Sequence, residues 1–201
     1  TKMPFSEKDP VDHPLSLYAA TKKSNEMLAH AYSNIHNLPC TGLRFFTVYG
    51  PWGRHDMSLF LFTKSILEGK PIDIFNNGNH KRDFTYIDDI VDGVIRTTNK
   101  IPGLSEKWNS HTPSFHDSDK PWRVFNIANG TPVPLMEFIE TIEAKLKKKA
   151  VSNLLPLQPG DVPETHADIS LLSEVTGYLP KTSVKEGVSK FVDWYLSFYG
   201  E

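Results

Sequence analysis

The chain has 201 residues, 39% hydrophobic and 23% charged, a globular balance with room for one substantial domain or a domain and a half. Its 22 Lys and Arg against 24 Asp and Glu leave a formal net charge of -2, which argues against a nucleic-acid binder driven by bulk charge. No apolar run is long enough to cross a bilayer, the first residues lack a signal-peptide pattern, and the single Cys40 excludes an intramolecular disulfide or a cysteine-rich metal site; the reading expects a cytoplasmic protein with no membrane or nucleic-acid partner and no metal.

Residues 1–14 are polar and punctuated by Pro4, Pro10 and Pro14, a loop entering the first helix. From Leu15 to Asn37 the apolar positions Leu17, Ala20, Met27, Leu28, Ala31 and Ile35 recur at helical spacing, with Ser16 as candidate N-cap and Pro39 as stop. Residues 41–49 (TGLRFFTVY) read as one buried strand ending at Gly50-Pro51, so the opening is a helix-to-strand unit of the α/β kind. After the loop 50–56, a helix is expected over 58–68, closed by Gly69, then a strand over 72–75, a polar turn at 76–79 and a strand over 81–85.

A helix follows over 87–98, then a polar insertion from Ile101 to Pro121 without periodicity, then a strand over 122–128. Residues 134–148 form a strongly periodic helix ending in lysines, which suit a helix C-terminus better than a phosphate site. A strand over 151–157, a turn at Gln158-Pro159-Gly160-Asp161 and helices over 169–175 and 183–199 complete the chain.

Chemistry-bearing residues stand out at few places. Tyr18 and Lys22 lie at i and i+4, one face of a helix, and an ammonium beside a phenol favours phenolate, an acid/base device. The spacing alone is equally that of an ordinary helix surface. His111, His116, Asp117 and Asp119 fall in the polar insertion with no metal-ligand spacing, and Asp88 and Asp89 open a helix, where carboxylates favour the dipole; neither group is assigned a catalytic role.

Five motifs then follow one another in order: Tyr18-Ala19-Ala20-Thr21-Lys22; Leu43-Arg44-Phe45-Phe46-Thr47-Val48-Tyr49-Gly50-Pro51; Arg82-Asp83-Phe84-Thr85-Tyr86-Ile87-Asp88-Asp89; Phe125-Asn126-Ile127; and Pro159-Gly160-Asp161. The series resembles the extended short-chain dehydrogenase/reductases of the NAD-dependent epimerase/dehydratase family that act on nucleotide sugars. Within it, residues 46–54 (FTVYGPWGR), 66–72 (ILEGKPI) and 157–163 (LQPGDVP) are similar to the UDP-glucuronate 4-epimerases of bacterial polysaccharide pathways. The family's Gly-x-x-Gly-x-x-Gly turn, which places a cofactor pyrophosphate at a helix N-terminus, has no counterpart here, and its catalytic Ser or Thr would lie just before Thr1. The expectation is therefore the C-terminal part of a longer enzyme, inactive by itself.

The resemblance implies an α/β fold: part of a Rossmann-like doubly wound sheet, from segments about 1–50, 84–99 and 122–128, and a smaller mixed α/β substrate domain, from about 51–83 and 129–201. It implies NAD as cofactor and inversion at C4 of UDP-glucuronate through a transient 4-keto sugar. Tyr18 would be base and then acid, and Lys22 would steady it and bind the nicotinamide ribose, with the backbone at Val48 near the nicotinamide. Thr47 would face the hexose, Arg54 the glucuronate carboxylate, Phe75 the uracil, Arg82 the diphosphate and Asp161 the nucleotide ribose. Bland roles stand beside these: a solvent-facing Arg54, an Arg82 paired with Asp83, a turn aspartate at 161 and a core Phe75. Gln158 stands where UDP-galactose epimerases commonly carry an arginine. A homodimer packed through the Tyr-x-x-x-Lys helix is also implied. Alternatives are a related UDP-sugar epimerase, dehydratase or decarboxylase, or a UDP-sugar-binding chain without catalysis.

Overall fold

The computed structural model describes residues 2–200, and they form two compact units. The first comprises the chain up to Phe46, Val91–Ile127 and Ala167–Leu179. It holds α1 (Leu17–His36), β1 (Cys40–Phe45), most of α3 (Ile87–Thr98), β6 (Trp122–Ile127) and α5 (Ser170–Thr176). Ser16 caps α1 by accepting from the Ala19 N–H at 3.1 Å, and Asn37 ends it in the left-handed conformation at φ 51°. The strands β1 and β6 pair in parallel, Cys40 opposite Trp122 through Phe45 opposite Ile127. Parallel neighbours need a long crossover, and 76 residues separate these strands in the chain.

The interior of this unit is Val124, Phe125, Ile127, Leu172 and Tyr178, all buried. Gly93 makes the helix contact possible: a Cβ there would fall 2.5 Å from Ile127 Cδ1 and 3.0 Å from the Tyr178 ring. The helix α1 is held to β1 by a fork-to-fork ion pair, Arg44 Nε and Nη2 donating to Glu26 at 2.7 and 2.9 Å. The apolar residues that give α1 its period are not core. Leu17, Met27, Leu28 and Ile35 are exposed, and only Ser33 of the helix is buried.

At one edge of the unit Asn126 gathers the chain, donating through Nδ2 to the carbonyls of Phe5 and Asp168 at 2.9 and 3.1 Å. Its N–H donates to Glu7 Oε1 at 2.6 Å, while Glu7 Oε2 is buried without a hydrogen-bond partner. Burial is the largest influence on this carboxyl and lifts it above the usual range, helped by Asp168 and opposed by the Asn126 N–H and Arg44. The folded state thus holds this proton more tightly than the unfolded state does. Its stabilising contribution is present below the ordinary carboxylate range and lost as pH rises through the raised value. Glu7→Gln is therefore expected to be close to wild type near pH 4 and about 1 kcal/mol more stable at pH 8, read from urea midpoints at the two pH values. An equal effect at both pH values would refute the titration.

The second unit comprises Thr47–Ile90, Ala128–His166 and the chain from Pro180. In order it holds β2 (Thr47–Tyr49), α2 (Ser58–Glu68), β3 (Pro71–Ile74), a 3-10 turn (Phe75–Gly78), β4 (Lys81–Arg82), β5 (Phe84–Tyr86), β7 (Val133–Pro134), α4 (Leu135–Leu146), β8 (Val151–Leu154) and α6 (Val184–Tyr199). Two parallel pairs, β2 with β5 and β3 with β8, and one antiparallel pair, β4 with β7, make its strand structure. Leu59, Ile66, Ile74, Phe138, Ile142, Val188 and Phe191 close the core between helices and strands. Gly187 lets α6 lie against Tyr49, whose hydroxyl would stand 2.3 Å from a Cβ at that position.

The expected helices hold, with ends shifted by a residue or two. Four expected strands are corrected. Residues 41–49 form two strands interrupted at Phe46, whose N–H donates to the Ile127 carbonyl as the chain leaves β1. Residues 81–85 also form two strands, interrupted at Asp83, because that side chain turns inward to accept backbone N–H groups. Phe75 opens the 3-10 turn instead of ending β3, and β8 stops at Leu154, ahead of the Pro156 that cannot donate to a ladder. The short β7 was not expected. Among the described residues no helix is long and apolar enough to cross a membrane.

Candidate active site

A cavity of about 480 Å³ opens in the second unit, and most of the expected substrate residues line it. Thr47, Phe75, Arg82, Gln158 and Asp161 share its wall with Asp56, Asp73, His80 and Phe84. Phe84 is buried and stacks on Phe138, with ring centroids 4.1 Å apart at 10°, so the floor is rigid and apolar. Thr47 enters from the first position of β2, opposite Phe84 in the ladder. Phe75 is half-buried at the start of the 3-10 turn, where Asn76 and Asn77 take left-handed φ values of 51° and 50° and swing the chain round.

Arg82 and Asp161 lie 79 positions apart and meet because the segment 163–165 runs beside β4. The Lys81 N–H donates to the Pro163 carbonyl at 3.0 Å, and the Thr165 N–H to the Lys81 carbonyl at 3.1 Å. Arg82 Nη2 donates to both oxygens of Asp161 at 3.0 and 3.2 Å, an end-on contact through one nitrogen. A turn closed by the Asp161 N–H on the Gln158 carbonyl presents the carboxylate, with Gly160 at φ 81°. The Arg82 side chain is 17% exposed; burial weakens its hold on the proton and Asp161 restores part of it. Arg82 therefore pairs with Asp161, not Asp83, and Asp161 is more than a turn residue. Asp83 faces inward instead, accepting the Asn129 and Gly130 N–H groups at 3.0 and 3.1 Å.

Arg54 is placed differently. It lies in the exposed loop before α2 and forks onto Asp56, Nε at 3.0 Å and Nη2 at 2.5 Å, an ion pair that holds the Asp56 carboxyl below its usual range. It lines a separate small cavity of about 40 Å³ with Thr47 and Val48, not the larger one. Asp56, its partner, borders the larger one. Val48 is half-buried in β2.

Tyr18 and Lys22 belong to the first unit, in the first turns of α1. Tyr18 is 71% exposed, and the Lys22 ammonium lies 5.2 Å from its ring centroid, the i,i+4 arrangement expected from their spacing. The Tyr18 carbonyl accepts from Thr21 Oγ1 at 2.8 Å. Such a pair can take and return a proton at a hydroxyl brought to the phenol. His111, His116, Asp117 and Asp119 stay in the irregular insertion, and no group of three or more His, Cys, Asp or Glu among the described residues is arranged to hold a metal. Asp89 accepts the Lys181 and Thr182 N–H groups at 3.2 and 2.9 Å. The C-terminal lysines of α4 hold local carbonyl and carboxylate partners, Lys148 on Leu67 and Lys149 on Glu143.

Residues 1–109 match the family described as NAD dependent epimerase/dehydratase. The chain belongs to that family. Among epimerase/dehydratase relatives, it is 55% identical over 199 residues to Protein CapI of Staphylococcus aureus, covering 99% of this chain and 60% of that one. It is 48% identical over 202 residues to a probable UDP-glucuronate 4-epimerase of Rhizobium meliloti (strain 1021), covering 98% of this chain and 58% of the relative. The fold is similar to that of the UDP-glucuronic acid 4-epimerase of Bacillus cereus, solved with UDP-glucuronic acid and NAD: TM-score 0.79, 34% identity, 94% of this chain and 55% of that one. The chain thus spans about three fifths of the length of these two relatives. Its α/β fold with parallel strands is the family's Rossmann-like architecture.

Sequence reasoning missed His80, Asp56 and Phe84 as cavity residues. His80 was legible in principle. It stands two residues before Arg82 on an extended segment, where alternate side chains share a face.

Proposed function

We propose that the whole protein is an NAD-dependent epimerase that inverts C4 of UDP-glucuronate through a 4-keto sugar. The observation that carries this reading is the convergence of Thr47, Phe75, Arg82, Gln158 and Asp161 on one cavity of about 480 Å³. That cavity offers an aromatic wall for a base, a guanidinium for a diphosphate and a carboxylate for ribose hydroxyls. Ligand binding requires Arg82 and Asp161 to exchange each other for the nucleotide, so the ligand-free ion pair keeps both charges satisfied until it arrives.

Tyr18 removes the proton from the sugar 4-hydroxyl and later returns one to the same oxygen. Lys22 steadies the phenol and donates to the nicotinamide ribose, and the Val48 backbone borders the ring. The pair fits this role, since Lys22 is exposed and holds its ammonium 5.2 Å from the Tyr18 ring centroid. NAD, when bound, supplies the hydride acceptor and donor for C4. The exposed Leu17, Met27, Leu28 and Ile35 of α1 support a homodimer through that helix.

The whole protein, purified and incubated with UDP-glucuronate, is expected to yield UDP-galacturonate, resolved by anion-exchange chromatography, with no effect of a chelator. A 4,6-dehydrated or decarboxylated product would sink the epimerase reading. Arg54 tests the sugar. Because its fork is filled by Asp56, a substrate carboxylate has to displace that partner. Arg54→Gln is expected to raise KM for UDP-glucuronate about tenfold and to leave UDP inhibition unchanged. An unaltered KM would return Arg54 to an ordinary exposed ion pair.

A further inference from the structure

His80 is only 5% exposed, borders the same cavity as Arg82 and Asp161, and its Nε2 has no hydrogen-bond partner. The nearest carboxylate oxygen, Asp161 Oδ2, stands at 3.4 Å without hydrogen-bond geometry, while both Asp161 oxygens already accept from Arg82. A buried nitrogen without a partner needs a reason. The groups around it are Arg82 on its own extended segment, Asp161 with an oxygen at 3.4 Å, and Asp73 and Asp56 on the cavity wall, with Asp73 accepting from Asn153 and Asp56 from Arg54.

We infer that His80 is a further binding residue for the nucleotide, its Nε2–H donating to an oxygen of the diphosphate beside Arg82. The inference rests on the nucleotide-pocket reading above. The ligand-free pocket satisfies Arg82 internally and leaves His80 unsatisfied, so an entering anion gives His80 a partner that the protein does not supply. His80 and Arg82 then flank the diphosphate as two donors from one face of one extended segment.

A consequence follows for protons. In the ligand-free protein burial, and then Arg82, hold the imidazole below its ordinary value, with Asp161 acting the other way. A bound diphosphate adds two negative charges and favours imidazolium. Binding therefore takes up a proton, and affinity rises as pH falls through that window. The diphosphate of a UDP-sugar is a diester with no proton of its own to titrate there, so the uptake belongs to the protein.

The test is calorimetry of UDP-glucuronate binding at pH 6 and pH 8, in buffers of different ionisation enthalpy, for wild type, His80→Gln, His80→Phe and Arg82→Ala. Wild type is expected to bind several-fold tighter at pH 6, with proton uptake. His80→Phe should lose about tenfold in affinity together with the uptake. His80→Gln, which keeps an N–H donor and cannot titrate, should recover much of the affinity at pH 8 and none of the uptake. If His80→Phe matches wild type while Arg82→Ala loses binding, the His80 assignment is wrong and the pocket stands. If neither variant alters binding, the nucleotide sits elsewhere and both readings fall, as they do if wild type shows no binding.

Discussion

Tyr18→Phe is expected to lower turnover of UDP-glucuronate by roughly 10²–10⁴-fold, the range a positioned proton-transfer group supplies. The substitution removes one hydroxyl from a side chain that is 71% exposed, so the thermal midpoint should stay where it is. The ring that Lys22 covers at 5.2 Å is retained, and so is the turn in which Thr21 donates to the residue-18 carbonyl. Binding of UDP should be unchanged, because the cavity holding Arg82 and Asp161 belongs to the other compact unit. The decisive comparison is kcat against KM. A fall in kcat with KM held marks a group that acts on the reacting atoms, whereas a rise in KM alone would make Tyr18 a binding residue. Unaltered turnover would remove the assigned base altogether.

How much of this was legible in the sequence depends on the range of the forces involved. The helices were, because capping and 3.6-residue periodicity are local: Ser16 before α1, Gly69 after α2 and the apolar rows of α4 and α6 mark their own ends. The interruptions at Phe46 and Asp83 were not. A short apolar run reads the same whether it pairs with one neighbour or changes partner midway, and the change from β6 to β5 is decided by distant residues. For the site, the Tyr18–Lys22 pair was legible from spacing alone, although its chemical meaning came from the family motifs. Arg82 and Asp161 were named separately, but nothing local predicts that they pair across 79 residues; the strand-like lacing of 163–165 along β4 does that. Arg54 was named without its Asp56 partner two residues on, a pair that sequence proximity could have flagged. The exposed apolar face of α1 was out of reach, since periodicity reports a stripe and not what covers it.

Asp83→Ala is expected to cost about 3–5 kcal/mol of stability, the largest structural effect proposed for this chain. The Asp83 side chain is fully buried, and its oxygens accept from Asn129 N–H at 3.0 Å and from Gly130 N–H at 3.1 Å. Gly130 takes φ 76°, so the two successive amides form a small concavity that suits an anion. Alanine would leave both half-buried amides without this acceptor and open a void beside them. Each such loss costs on the order of 1–3 kcal/mol, and a carboxylate acceptor places it toward the upper end. Asp83→Asn keeps one acceptor oxygen and should lose roughly half as much. The measurement is urea denaturation of the three proteins, with the slope expected to be shared and the midpoints to fall in the order Asp, Asn, Ala. Asp83 also sits between Arg82 and Phe84, where one side chain serves the diphosphate reading and the other forms the cavity floor. Asp83→Ala that folds should therefore bind UDP more weakly even though the residue itself does not border the cavity. Affinity at the wild-type level alongside a lowered midpoint would show that β4 holds Arg82 in place without Asp83, by its pairing with β7 and the 163–165 segment alone.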